Sequence, residues 1–532
     1  MKIRRLEIPL IVTALAALSV AAVWYVHRMD WTLYNPDADA HLNIARRIVD
    51  SRTPGYDQIG TVWLPLPHLL TIPFVLRDSL WQSGLAGAIP SACCFVMAGA
   101  FLFAAVRRSL RSSAAAFTAL GIFTLNPNLL YLQSTPMTEA VFFGALAALL
   151  YFTILFRDTR SLPAAAAAGL AALAASLTRY EGWFLLPFAA LYLWIAGRYR
   201  LVPAIVFCAI AGLGPMWWFA HNYWVYGDAL AFYNGPWSAS AIYQRALDQG
   251  VARYRGDHDW LQALFYYSTA AWLCAGGVAV ALGVLGLAGI LRARAFWPVM
   301  FLSLSPIFYV WSMHSSGTPI YVPNLWPNSY YNTRYGLAVL PLAAFCAGAL
   351  ALLIPKRWRA TAAVAILCAA MLPWLIRPNP DNWICWKESQ VNSVARRAWT
   401  REAAEFLAAN YKPGQGILTA HGVAGVLRTD GIPLRESLNT DNRGIWEITC
   451  ERPDLFLREE WVMALAGDAV DTAVTKTATR AGPKYDLVRT IIVKDAPVVD
   501  IYRRAHTAIQ PPATPDPDSD DTEKLLPFEP RQ

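Results

Sequence analysis

Charge is scarce in this chain. Asp, Glu, Lys and Arg make up only 15% of its 532 residues, against about 25% in a soluble domain, which excludes a single water-soluble globule. Hydrophilic sequence is equally short. Hydrophobic residues make up 56% and the mean hydropathy is +0.33, so a disordered chain is excluded as well. Metal-binding cysteine spacing is missing: the eight cysteines include no CxxC pair, and no histidine stands at finger spacing. Six of them, Cys93, Cys94, Cys208, Cys274, Cys346 and Cys368, fall in apolar runs and read as small packing residues. Cys385 and Cys450 lie in the polar C-terminal region and can form one disulfide if that region is outside the cytoplasm. No stripe alternates basic and aromatic residues, so the net charge of +8 does not read as a nucleic-acid surface, and no nucleic-acid partner is expected. No internal repeat is visible, whereas transporters commonly show two related halves.

What is abundant is long apolar sequence. A span needs about 20 apolar residues, and about eleven stretches qualify, at 8–27, 85–106, 114–132, 140–156, 162–178, 183–197, 201–223, 266–291, 295–312, 335–354 and 360–376. The first has the basic start of a signal peptide, but Trp24, Tyr25 and His27 stand where small cleavage-site residues would be, so it reads as a retained anchor. Lys2, Arg4 and Arg5; Arg107, Arg108 and Arg111; Arg157 and Arg160; Arg198 and Arg200; Arg292 and Arg294; and Lys356, Arg357 and Arg359 all fall on one side if the N-terminus is cytoplasmic. That bias assigns the orientation. An odd number of spans puts the C-terminus outside, together with the long segments 28–84, 224–265 and 313–334. Long loops in a compact protein usually serve function, so the working face is expected to point away from the cytoplasm. The short basic linkers and the richness in alanine suit a bacterial inner membrane.

The chain therefore divides into a transmembrane part, 1–376, whose first outer loop is 28–84, a polar region at 377–506, and an acidic, Pro-containing tail at 507–532 expected to be disordered. Within 377–506, residues 394–410 read as an amphipathic helix and 416–420, 487–493 and 498–502 as strands, which predicts a small α/β domain outside the membrane.

Candidate chemistry gathers on the outer side. Asn35-Pro36 is a helix start, a cap followed by Pro at the first helical position, and Ala38, Leu42, Ala45 and Val49 then form one apolar stripe. Asp37 and Asp39 open that interfacial helix, but residues two apart are about 200° apart around it. The two are therefore not expected to share an ion or a proton. His41 stands one turn from Asp37, His68 follows Pro67, Glu139 follows Thr138, Arg179-Tyr180-Glu181 lies between two spans, and Arg334-Tyr335 opens another. Ionisable residues at span ends facing a cavity are functional candidates. Asp39, Glu139, Glu181 and His68 offer hard or borderline ligands for a divalent metal, though nothing in the sequence fixes them together.

A short basic N-terminus, one span and a long outer loop with an acidic pair opening an interfacial helix resemble the GT-C glycosyltransferases, which use polyprenyl-phosphate-linked sugars and include protein O-mannosyltransferases and lipid A aminoarabinose transferases. Their loop often reads Asp-Glu, with a small Ala eight residues after the Asp. Asp37 and Ala45 keep that spacing, Ala38 stands in the Glu position, and Asp39 follows. The resemblance implies an α-helical polytopic membrane protein, GT-C-like, with the C-terminal extracytoplasmic α/β domain added. It implies an inverting transfer of a hexose or pentose from a polyprenyl-phosphate donor to a hydroxyl of a lipid, protein or glycan acceptor, among membrane lipids. Phosphate is already a good leaving group, so one base and cationic stabilisation suffice. Asp37, then Asp39, are the base candidates. Arg179 and Arg334, then Arg253 and Arg255, are the phosphate candidates. Glu139, Tyr180, Glu181, His68 and Tyr335 are expected to contact substrate. The only Trp pair, Trp217-Trp218, lies in a span and lacks a following Asp, which favours one monosaccharide over an oligosaccharyltransferase-like transfer of a glycan. A lipid-linked-sugar transporter or flippase is the alternative of a different class.

Overall fold

The computed structural model describes residues 7–315, 318–420 and 422–505. The expected disordered tail at 507–532 and the basic residues Lys2, Arg4 and Arg5 lie outside the described residues.

Seven helices among the described residues are long and apolar enough to cross a membrane, and an eighth span results if Trp260–Ala275 and Gly277–Ala293, bent by 106°, count as one. The exact count of about eleven expected from apolar length is not confirmed. Three of the expected spans coincide with the shorter apolar helices Ser113–Thr124, Leu162–Ser176 and Glu181–Ala196. At 1.5 Å per residue the 12-residue Ser113–Thr124 is about 18 Å long, short of the roughly 30 Å hydrocarbon layer.

Two helices sit at the centre of this integral membrane bundle. Glu139–Thr159 and Thr333–Leu352 have 83% and 78% of their apolar windows buried, against 17% for Glu7–Arg28 and Lys356–Ile376 at the periphery. Glu139 and Arg334 therefore head the two central helices. The second of these packs closely on Gly277–Ala293 through a glycine stripe. A Cβ on Gly286 would come within 1.9 Å of the Cys346 carbonyl, and one on Gly289 within 2.1 Å of the Ala349 carbonyl. Small residues of this kind let membrane helices approach at backbone distance. Gly286→Ala is expected to force the pair apart, costing about 1–3 kcal/mol, visible as a lower melting midpoint in detergent; an unchanged midpoint would show the contact to be looser than described.

The outer loop starts as expected. Asn35 caps Pro36–Val49, its side chain accepting the Asp37 N–H at 2.9 Å. Beyond the last span, Ile384–Val391 packs back onto the bundle, and Ile384, Cys385 and Trp386 belong to the bundle's own core. Val394–Asn410 follows as the expected amphipathic helix. It covers a five-stranded sheet of β1 (Ile417–Thr419), β2 (Ser437–Leu438), β3 (Trp461–Leu465), β4 (Tyr485–Ile491) and β5 (Val499–Arg504), in the order β2-β1-β3-β5-β4. β2, β1 and β3 run parallel, and β5 and β4 are antiparallel to their neighbours. The small α/β unit is thus present, with β2 and β3 in addition to the expected strands.

This unit shares its core with the outer loop. Leu42, Ala45, Val75, Trp81 and Ala86 pack in the same cluster as Leu407, Ile417 and Val462. Ion pairs seal the rim: Asp50 with Arg435 at 2.9 Å, Arg47 with Asp441 at 2.6 Å and Arg52 with Glu459 at 2.5 Å. Cys450 is buried in this second core, whereas Cys385 lies in the first. The Cys385–Cys450 pairing that the sequence left open is therefore not made, and in this structure the eight cysteines are thiols.

Candidate active site

Two guanidiniums organise a polar cleft at one end of the bundle. Arg334 pairs with Asp37, with Glu139 at 3.3 Å and with Glu388 at 3.2 Å. Arg179 donates to Thr138 Oγ1 at 2.7 Å, Glu139 Oε1 at 3.2 Å and the Tyr309 hydroxyl at 2.7 Å, and lies 3.4 Å from Glu181. Both guanidiniums lie 5.0 Å from the Tyr335 ring, whose face attracts cations, and Tyr335 stacks on Tyr309 at 4.8 Å. Glu139 and Glu181 each open a helix, as Arg334 nearly does. The cleft thus forms where helix N-termini and their partial positive charge converge. It is narrow, with about 10 Å³ of free volume among Glu139, Arg179, Glu181, Tyr309, Arg334 and Tyr335, about the space of one water.

An apolar groove adjoins it. Phe184, Trp260, Leu264, Tyr267, Pro306 and Trp311 line about 600 Å³, and Tyr267 of the groove lies parallel to Tyr309 of the cleft at 6.1 Å.

The interfacial helix divides its polar residues by face. Asp37 points to Arg334 and keeps 34% of its side chain exposed. His41, one turn on, meets His68 with Nδ1 2.9 Å from Nε2, one nitrogen donating to the other. Asp39, on the opposite side, turns to the C-terminal unit, where Arg396 at 3.2 Å and Arg428 at 3.0 Å hold it with only 10% of its side chain exposed. Asn43, one turn further, also donates to Asp39 at 3.2 Å. The angular argument from the sequence is realised here: the two aspartates serve different neighbours.

The remaining candidates divide in the same way. Glu139, Glu181 and Tyr335 line the cleft. Tyr180 instead donates to the Val62 carbonyl at 2.9 Å, accepts from Trp218 Nε1 at 3.1 Å and stacks on Phe232, tying the outer loop down. Arg253 pairs with Asp257 at 3.5 Å, and Arg255 lies over Trp326; neither joins the cluster. The four metal candidates do not form one group. Asp39 is saturated by arginines, His68 is held by His41, and Glu139 and Glu181 face Arg179. Among the described residues no group of three His, Cys, Asp or Glu is arranged to hold a metal.

Sequence reasoning missed Glu388, Thr333 and Tyr309. Glu388 is buried and accepts from Thr333 as well as from Arg334. Its only signal is an acid in a short segment immediately after the last span. Tyr309 is a hydroxyl inside an apolar run, a weak form of the same intramembrane polar signal.

Burial, with the charges of Arg334 and Arg179, lowers the His41 pKa to about 3, and burial pushes His68 well below its usual 6.5. Both are neutral in the folded protein. Below about 6.5 the unfolded chain binds protons that the folded one does not, so stability is lost as pH falls. His41 alone accounts for about 2 kcal/mol at pH 5. The melting midpoint is expected to drop between pH 7 and pH 5, and His41→Gln to flatten that slope; an unaltered slope would mean that His41 is not the group responsible.

No family model and no curated protein matches the chain. Solved structures are similar in fold. ArnT from Cupriavidus metallidurans, crystallised with undecaprenyl phosphate, superimposes with a TM-score of 0.51 at 15% identity, over 91% of this chain and 97% of that one. The apo oligosaccharyltransferase of Archaeoglobus fulgidus matches with a TM-score of 0.47 at 11% identity, over 87% of this chain and 70% of that one. The alignment with ArnT spans both the bundle and the C-terminal unit: the two chains share a fold.

Proposed function

We propose that this protein is an inverting glycosyltransferase that moves a monosaccharide from a polyprenyl-phosphate donor to an acceptor hydroxyl on the outer face of the membrane. The observation that carries the reading is the pairing of a partly exposed carboxylate, Asp37, with Arg334 at a cleft where Arg179 adds a second guanidinium, beside an apolar groove of about 600 Å³ that could take isoprenoid units. A similar fold with undecaprenyl phosphate bound supports the donor class.

In this reading the lipid phosphate enters between Arg179 and Arg334 and displaces Asp37 from the Arg334 guanidinium, which releases the carboxylate for the acceptor. The acceptor oxygen attacks the anomeric carbon from the face opposite the phosphate. The new C–O bond forms as the bond to the phosphate oxygen breaks, Asp37 takes the hydroxyl proton, and polyprenyl phosphate leaves with its charge held by the two arginines. The cleft side chains must spread to admit the donor. Glu139, Glu181 and Tyr335 then face the sugar, and Glu388 and Thr333 hold Arg334 from behind.

The cluster also weighs against transport, because its charged groups gather at one end of the bundle, at helix starts, and not along a path through it. The test is the purified protein in proteoliposomes, supplied with polyprenyl-phosphate sugars and a hydroxyl acceptor extract. Product with inverted anomeric configuration and release of polyprenyl phosphate are expected. Donor movement between leaflets without bond cleavage would replace this reading with the transporter.

A further inference from the structure

Two cysteines that neither the cleft nor the groove uses lie against each other. Cys274, next to the 106° bend that follows Ala275, and Cys385, in the helix that carries Glu388, are both fully buried, with their sulfurs 3.9 Å apart although the residues stand 111 positions apart in sequence. Their backbones are held together independently of the sulfurs. Asn128 donates to the Cys274 carbonyl at 3.0 Å and accepts the Cys385 N–H at 2.9 Å, and Asn126 adds a second donor to the Cys274 carbonyl at 3.0 Å. One side chain thus fixes the separation of the two residues, and closing the sulfurs to the ~2.05 Å of a bond asks for side-chain movement of about 2 Å. The Cys274 Sγ also donates to the Thr333 carbonyl at 3.0 Å, one residue from Arg334.

We propose that Cys274 and Cys385 form a disulfide in the mature protein, placed to lock the Glu388-bearing helix against the outer end of the bundle. The inference rests on the outward orientation in the function proposed above, because disulfides persist outside the cytoplasm. The two thiols give up two protons and two electrons. The oxidant is an extracytoplasmic disulfide, of a thiol oxidoreductase or a small molecule, which is reduced to two thiols as the Cys274–Cys385 bond forms. Because both sulfurs are buried, the exchange belongs to folding, before the helix docks. The closed bond then restrains Glu388, three residues from Cys385, and with it Arg334.

The test uses the full-length wild-type protein in its native membrane. Free thiols are alkylated with N-ethylmaleimide in denaturant before any reduction, and the chain is digested and analysed by mass spectrometry. The expected result is a peptide pair joined through Cys274 and Cys385, with the other six cysteines alkylated. Alkylated Cys274 and Cys385, or either joined to a different cysteine, would overturn the proposal. Glycosyl transfer is measured on the same preparation. Free thiols in an active enzyme refute the cross-link alone, whereas a joined pair in a protein without transfer activity refutes the function alone.

Discussion

Replacing Arg334 by Met is expected to reduce transfer about a thousandfold, the scale of losing a preorganised charge at a leaving group, and to destabilise the protein by about 3–5 kcal/mol. The two effects have separate causes. In the proposed mechanism the catalytic loss follows from removing one of two cations that receive the departing phosphate. The stability loss follows from stripping Asp37, Glu139 and Glu388 of their shared partner while Glu139 and Glu388 remain buried. Arg334→Lys separates them. It keeps a positive charge among the carboxylates, so much of the stability should return. A point charge cannot span three carboxylates and a phosphate as a planar fork does, so transfer should stay about a hundredfold down. Rates normalised to folded protein, with melting midpoints in parallel, make the comparison. A wild-type rate in Arg334→Met would remove this residue from the mechanism.

The second large effect is a contrast between neighbours. Asp37→Asn should cut transfer by about 10²–10⁴, the usual worth of a positioned base, with little change in melting, because its carboxylate is partly exposed and the amide still fits. Asp39→Asn should do the reverse. It leaves Arg396 and Arg428 facing a neutral group in a buried setting, at a cost of about 3 kcal/mol, while the molecules that remain folded turn over near the normal rate. If the roles came out exchanged, with Asp39 controlling turnover and Asp37 controlling melting, the base assignment would move two residues along the helix.

Why the sequence could suggest this contrast and not complete it is a matter of range. The cap at Asn35, the apolar stripe and the 200° offset between Asp37 and Asp39 are local, set by helix geometry within a few residues. The placement of Glu139, Glu181 and Arg334 at helix starts was legible for the same reason. The partners of Asp39 lie 357 and 389 residues away, and no local pattern specifies them. Glu388 reaches Arg334 only because Ile384, Cys385 and Trp386 sink into the bundle core, a packing outcome that composition does not reveal. Apolar length alone does not separate a full span from a shorter helix such as Ser113–Thr124. β3 was passed over because a five-residue apolar strand, Trp461–Leu465, has no alternation to mark it. Arg253 and Arg255 looked suitable by charge alone, and charge alone does not distinguish a phosphate ligand from a loop residue paired with Asp257.

The core shared by the first outer loop and the C-terminal unit bears on how this chain can be recombined with others of its fold. Leu42, Ala45, Val75, Trp81 and Ala86 are as much a part of the soluble-looking unit as its own strands. A graft that exchanges only the segment after the last span would leave those side chains facing a foreign surface. Swaps of the C-terminal segment must therefore carry residues 28–86 along with it, and truncation after Ile376 would expose the very helix that presents Asp37.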